Sequence, residues 1–177
     1  KTGGTSRSAS GYAASNLDVY QVNSTFYDAR GRSDVDYLLA RAIQFFAPGT
    51  PQVYYVGLLA GVNDLKLVGE TGVGRDINRH YYSPAEIRAE IDRPVVRSLM
   101  HLIRIRNGIP AFEGTFSLPE CGHNELILRW ESPNCTAQLH VDLDRRTATI
   151  DCVDASDRRR WTIGDGLLRA AESGAGR

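Results

Sequence analysis

The amino-acid sequence predicts an α/β fold followed by a small antiparallel β module. Three observations carry this. Apolar residues recur with helical spacing over residues 35–46, and after a short spacer residues 52–56 are rich in β-branched and aromatic types. Helix, spacer and strand together are one αβ unit of a barrel or a doubly wound sheet. From Ala111 onward the helical period gives way to short alternating runs separated by turn residues. Between these two parts, residues 57–82 form a segment too long for a mere connector, with glycines at 69, 72 and 74 and the polar run Arg75-Asp76-Ile77-Asn78-Arg79-His80.

Residues 1–15 have the small, polar composition of a loop. Leu17, Val19 and Val22 then sit among Asp18, Tyr20, Gln21 and Asn23, which suggests an extended segment with one polar face. The carboxylate, phenol and amide of Asp18, Tyr20 and Gln21 offer directional donors and acceptors, suited to gripping hydroxyl groups or to lining an ordinary loop edge. Ser33 with Asp36 three residues on is a helix start. Val35, Leu38, Leu39, Ala42, Ile43 and Phe46 make one apolar stripe, and Pro48-Gly49 ends the helix.

The glycines 69, 72 and 74 do not make a phosphate-binding loop, because no Gly-Lys-Ser/Thr ending follows them. Arg75 and Arg79 each offer five N–H donors that match sugar hydroxyls or phosphate oxygens, or a nearby acid such as Asp76 or Glu70. Ser83-Pro84-Ala85-Glu86 predicts a helix to about Ile91, with cap, proline and glutamate each in place. Pro94 opens another, stopped by Asn107-Gly108 and Pro110. Five strands are predicted beyond it, over residues 114–118, 125–131, 136–143, 147–153 and 161–163. The triplet Arg158-Arg159-Arg160 reads as a solvated edge, and the tail from Arg169 as a frayed end.

Of 21 basic residues all but Lys1 and Lys66 are arginine, and the formal net charge is zero. A neutral chain has no bulk attraction to nucleic acid or to an anionic membrane. No apolar run approaches the ~20 residues that span a bilayer. The cysteines, Cys121, Cys135 and Cys152, are odd in number and lack C-x-x-C spacing, which argues against a disulfide scaffold or a zinc site; the expectation is free thiols in a reducing cytoplasm. The chain starts within a Gly/Ser/Thr-rich stretch, without Met, and is read as a C-terminal piece of a longer protein.

The runs PQVYYVGLLAGVNDL and GRDINRHYY, with ASNLDVYQVNSTFYDA and YLLARAIQFFAPG before them, resemble the sucrose phosphorylase group of α-amylase-type retaining phosphorylases. The likeness covers about residues 9 to 106; residues 110–177 resemble the group only in pattern. The resemblance implies that residues 1–109 are the C-terminal part of a (β/α)8 barrel, namely its last helices, last strand and the long loop after it. Residues 110–177 are then a separate antiparallel β domain. It further implies substrate contacts from Asp18, Tyr20 and Gln21 on the acceptor side and from Arg75 in the donor subsite. Arg79 and His80 would brace the loop.

The activity implied is phosphorolysis of an α-glucoside to α-glucose 1-phosphate. The substrate is sucrose, a phosphorylated sucrose, glucosylglycerol or glucosylglycerate. Inorganic phosphate is co-substrate, and no cofactor or metal is implied. Such retaining transfer uses two carboxyl groups about 5 Å apart. In the group these lie on strands earlier than Lys1, so no residue of this chain is assigned a catalytic role. The implied partners are a small sugar and phosphate, not nucleic acid or membrane, and a homodimer of the parent protein is compatible with the resemblance. Two other readings remain open: a hydrolase or transglucosidase of the same clan, and a non-catalytic fragment that is poorly soluble alone.

Overall fold

Helices fill the described chain as far as Gly108, and strands come only after it. The computed structural model describes residues 23–171. These divide into two units: residues 23–37 with Gln52–Val96, and Leu38–Pro51 with the described part of Arg97–Arg177.

In the first unit, Thr25 caps the short helix α1 (Phe26–Ala29) by accepting the Asp28 N–H. Tyr27 and Tyr37 meet edge to face with ring centres 5.3 Å apart, and Tyr37 donates from its hydroxyl to the Gly57 carbonyl. Val56, Leu59, Val68, Ile77, Val95 and Val96 complete the apolar interior. Such side chains each contribute roughly 1.5–3 kcal/mol when fully buried. Asp28 is wholly buried within this interior and is satisfied locally. It accepts from the Asn63 N–H at 2.5 Å and from Arg32 Nε at 2.7 Å.

The first turn of α2 (Asp34–Phe46) is capped as predicted, with the Asp36 N–H donating to Ser33 Oγ at 3.3 Å. Leu38, Leu39, Ala42 and Phe46 of the predicted apolar stripe are buried, and its edges shift. Tyr37 and Phe45 are buried, whereas Val35 and Ile43 are half-buried.

The predicted strand over residues 52–56 is corrected. The backbone is extended at Tyr54, but a four-residue helix α3 (Tyr55–Leu58) begins immediately after it. Among the described residues no strand precedes Thr115, so this extended stretch has no ladder partner among them. The long segment after it, residues 57–82, expected as a loop, holds α4 (Leu65–Thr71) and a 3-10 turn (Gly74–Asn78). The helix α5 (Pro84–Ile91) follows where the sequence predicts it. Asp64 caps α4, and Gly72 closes it in the left-handed conformation, φ +67°, that glycine adopts without steric cost. The capping box predicted at Ser83 and Glu86 is present in both directions.

In the second unit, α6 (Pro94–Gly108) from Arg97 onward and a 3-10 turn (Pro110–Glu113) lead into a six-stranded sheet. The strands β1 (Thr115–Ser117), β2 (Glu125–Ser132), β3 (Cys135–Asp142), β4 (Thr147–Asp154), β5 (Arg158–Ile163) and β6 (Arg169–Ala170) follow one another as an antiparallel meander. Six strands replace the predicted five. Arg158-Arg159-Arg160 opens β5 instead of lying ahead of it, and Arg169–Ala170, predicted to fray, pairs with Trp161 and Thr162. The triplet is a strand because its charges are answered. Arg160 holds Asp151 on β4 at 2.7 Å, and Arg159 reaches Asp154 at 3.4 Å.

Register puts Leu128, Leu139, Ile150 and Trp161 side by side across four strands, all on the buried face. Arg129, Gln138, Asp151 and Arg160 occupy the next row, on the opposite face. Phe112 lies between Phe46 and Trp130, with ring centres at 4.9 and 5.8 Å. The last carbonyls of α2 have no helical partner. Arg106 Nε donates to Phe45 at 2.8 Å and Trp130 Nε1 to Phe46 at 2.7 Å, which satisfies both.

Candidate functional site

The segment flagged in the sequence, residues 57–82, together with Glu86, Glu90 and Arg93, builds a concave site within the first unit. Its cavity has a volume of about 410 Å³, and its lining includes Asn63, Asp64, Lys66, His80, Glu86 and Arg93. Each side chain is delivered by an element already described. Asp64 is the cap of α4, Lys66 is in its first turn, Glu86 belongs to the capping box of α5, and Arg93 lies just ahead of α6.

His80 stands between two carboxylates. Its Nδ1 is 2.6 Å from Asp64 Oδ2 and its Nε2 is 3.4 Å from Glu86 Oε1. The hydrogen bond to Asp64 chiefly, then those to Glu86, raise the imidazole above its ordinary range, against the opposing effect of burial. Burial works to raise the Asp64 carboxyl too, but the Leu67 N–H and His80 outweigh it and hold that group low. Glu86 is likewise held low, first by the Ser83 N–H.

Arg93 braces the cavity wall. It donates to the carbonyls of Leu59 and Ala60 at 3.3 Å, pairs with Glu90 at 2.5 Å, and lies over the Tyr27 ring. Ala60 there has φ +47°, a conformation rare for a residue with a Cβ. Gly61 follows it, where a Cβ would sit 2.2 Å from Tyr82 Oη. Asn63 accepts from the Thr25 N–H at 2.6 Å, while its buried Nδ2 has no partner among the described residues.

Arg75 sits in the 3-10 turn and is exposed. The two arginines weighed in the sequence differ in their surroundings. Arg79 pairs with Asp76 at 3.5 Å. Glu70 pairs with Lys66 at 3.8 Å. Arg75 has no acid partner among the described residues. The other three sequence-derived site residues, Asp18, Tyr20 and Gln21, lie outside the described residues. Sequence reasoning missed the Asp64–His80–Glu86 grouping. Glu86 was legible as part of a helix start and Asp64 only as an acid in a segment read as loop, and nothing local in the sequence signals that a histidine 16 residues from Asp64 returns to it.

Among the described residues no group of three or more His, Cys, Asp or Glu is arranged to hold a metal ion. No helix among them is long and apolar enough to cross a membrane.

No protein-family model matches the chain. Characterised relatives do. The sucrose phosphorylase of Agrobacterium vitis is 58% identical over 147 residues, which is 83% of this chain and 30% of the relative. The sucrose phosphorylase of Bifidobacterium adolescentis is 54% identical over 144 residues, 81% of this chain and 29% of the relative. Among solved structures, the sucrose 6F-phosphate phosphorylase from Thermoanaerobacter thermosaccharolyticum superposes with a TM-score of 0.79 at 45% identity, over 82% of this chain and 30% of that one. The chain therefore spans about 30% of the length of the relatives it matches. Over that span, by sequence and by fold, the chain matches the C-terminal part of the sucrose phosphorylase group.

Proposed function

We propose that this chain is the C-terminal part of a retaining phosphorylase that cleaves an α-glucoside, sucrose or a close relative, with inorganic phosphate to give α-glucose 1-phosphate. In this reading residues 1–109 complete a (β/α)8 barrel and residues 110–177 form its C-terminal β domain. The protein needs no cofactor, works in the cytoplasm, and is compatible with a homodimer.

The chemistry divides between this chain and the rest of the protein. One carboxylate attacks the anomeric carbon. A second carboxyl group protonates the leaving sugar, then takes the proton from the incoming acceptor. Both come from parts of the protein outside these residues. Phosphate competes with water at ~55 M only if it is oriented, so the acceptor side must supply fixed donors and acceptors. Asp18, Tyr20 and Gln21 are assigned that role. Arg75 is assigned to the glucosyl unit, where a planar fork of N–H donors can bind two neighbouring hydroxyls.

The relatives' names supply the reaction class. The observation on this chain that carries the assignment is Arg75 itself, an exposed guanidinium without an acid partner among the described residues, on a turn whose neighbouring Arg79 is already committed to Asp76. A cation without an acid partner among the described residues, on a turn held by its neighbours, is available to a ligand.

The test is direct. The full-length protein is incubated with sucrose and phosphate, and glucose 1-phosphate is measured against free glucose. Glucose 1-phosphate as the main product supports the reading. Free glucose or glucan at equal phosphate would assign the protein to hydrolysis or transglucosylation instead.

A further inference from the structure

The segment that carries Arg75 is fastened at both ends to one imidazole. Asp64 Oδ1 accepts the Leu67 N–H at 2.8 Å as the cap of α4, while its Oδ2 meets His80 Nδ1 at 2.6 Å. The Asp64 N–H donates to the Ile77 carbonyl at 2.8 Å, two residues from Arg75. At the other end Glu86, which caps α5 with Ser83, meets His80 Nε2 at 3.4 Å. Tyr55 Oη donates to the His80 carbonyl at 2.9 Å and fixes the backbone at that point.

We propose that His80 is a positioning residue for sugar binding. Its imidazolium form clasps Asp64 and Glu86 together and so holds the Gly74–Asn78 turn, with Arg75, in place; its neutral form releases that turn. The proposal rests on the reading of Arg75 as a contact to the glucosyl unit.

A neutral imidazole carries one N–H and can donate to only one of the two carboxylates, whereas the cation donates to both. The other charged groups around it are committed elsewhere. On α5, Glu90 is held by Arg93 at 2.5 Å; on α4, Lys66 faces Glu70 at 3.8 Å; and in the turn, Asp76 faces Arg79 at 3.5 Å. The uncharged Tyr82 ring packs edge-on against the imidazole at 4.5 Å. His80 is therefore the group whose charge decides whether the clasp has two arms or one.

The hydrogen bond to Asp64, with Glu86, raises His80 above the ordinary imidazole value of 6.5. A group raised in this way stabilises the folded arrangement fully below 6.5, and that contribution is lost as pH rises through the folded value. The turn is thus tight below pH 6.5 and loosens as pH rises through the raised folded-state value.

The test is hydrogen exchange in the full-length protein at pH 6 and pH 8, with rates corrected for their intrinsic pH dependence. Protection of amides 74–79 is expected to fall about tenfold across this interval, the scale of one charge-assisted hydrogen bond. His80→Gln should lack that protection at both pH values, and His80→Lys, a permanent cation, should retain it at both. The KM for the donor sugar should rise with pH in the wild type, and kcat should not follow it. Wild-type protection at 74–79 that does not change with pH would overturn the proposal, as would His80→Gln matching the wild type at pH 6. Should His80→Gln fail to fold, the wild-type titration and His80→Lys still decide the matter. An Arg75→Lys variant with unchanged KM would overturn the reading of Arg75, and with it the claim about sugar binding, while the exchange data would still report on the clasp.

Discussion

Trp130 Nε1 donates a 2.7 Å hydrogen bond to the carbonyl oxygen of Phe46, a residue 84 positions earlier in the chain. Both partners are buried. The carbonyl belongs to the last turn of α2 and has no helical donor of its own, so the indole is its satisfaction. Trp130→Phe keeps an aromatic ring beside Phe112 and removes only the donor. The expected loss is about 1–3 kcal/mol, the cost of a buried acceptor left unmade. It should appear as a lower urea midpoint with an unchanged slope. A midpoint equal to the wild type would mean that the carbonyl finds another donor.

Tyr27 carries a pH prediction. Burial, then its 2.6 Å hydrogen bond to Asp34, push the phenol up to about 12 from its ordinary 10.0. The folded state therefore holds the proton more tightly than the unfolded chain. The stability from this group is complete below pH 10, falls between pH 10 and 12, and is fully lost above that interval. Tyr82, also pushed up to about 12, chiefly by burial, acts in the same window. Denaturation midpoints should drop across it, and Tyr27→Phe should flatten part of that drop while leaving the neutral-pH slope unaltered. An equal alkaline drop in Tyr27→Phe would remove Tyr27 as a cause.

The cysteines predict a labelling pattern. Cys135 and Cys152 are buried with their sulfurs 3.8 Å apart, and burial pushes the Cys152 thiol up to about 11. The thiolate is the reactive form, so Cys152 should be inert near neutrality. Cys121 is exposed. Brief alkylation of the native protein, followed by peptide mass analysis, should modify Cys121 and leave Cys135 and Cys152 for the unfolded state. Modification of Cys152 at the rate of Cys121 would show that β4 opens far more readily than its pairing on both edges implies.

Local signals in the sequence were legible and distant ones were not, for physical reasons. Ser83 and Glu86 lie three residues apart, so their reciprocal cap is written within one turn, and α5 begins where the sequence predicts. Residues 52–56 have strand composition, but a strand exists only through a partner. With none among the described residues, the chain turns into α3 as Tyr37 takes up the Gly57 carbonyl. Arg158-Arg159-Arg160 is largely solvent-exposed as the sequence suggests, but its place in a strand is hidden because Asp151 and Asp154, which answer its charges, lie on the neighbouring strand. The site divides in the same way. The exposed arginine of the Gly-rich segment can be picked out by residue type, whereas the Asp64–His80 contact exists only after α4 and the 3-10 turn have folded the segment back on itself.

Asp28 tests that folding back. It is fully buried and ties α1 to the cavity wall through the Asn63 N–H at 2.5 Å, and to Arg32 at 2.7 Å. Asp28→Asn keeps the shape but replaces a doubly accepting carboxylate with an amide that presents N–H groups to donors. Hydrogen bonds to a charged group contribute about 1.5–3 kcal/mol each, so a loss of at least that size is expected in chemical unfolding. Amides around Asn63 should also exchange faster, since that backbone donor loses its acceptor. Unchanged exchange at residues 61–64 would show that the wall does not depend on Asp28.

Arg75 remains the decisive residue for function. Because it has no acid partner among the described residues, replacing it disturbs no ion pair there, and a loss of activity can be read as a loss of ligand contact. Arg75→Ala in the full-length protein should leave the unfolding midpoint within experimental error. It should lower kcat/KM for the donor sugar by about 10- to 100-fold, the equivalent of one charge-assisted hydrogen bond. Arg75→Lys keeps the charge but loses the planar fork, so it should recover only part of that loss if two hydroxyls are gripped together. Full recovery by lysine would mean that the charge alone matters, which points to phosphate and away from the glucosyl unit. An unchanged kcat/KM in Arg75→Ala would remove the residue from the binding site altogether.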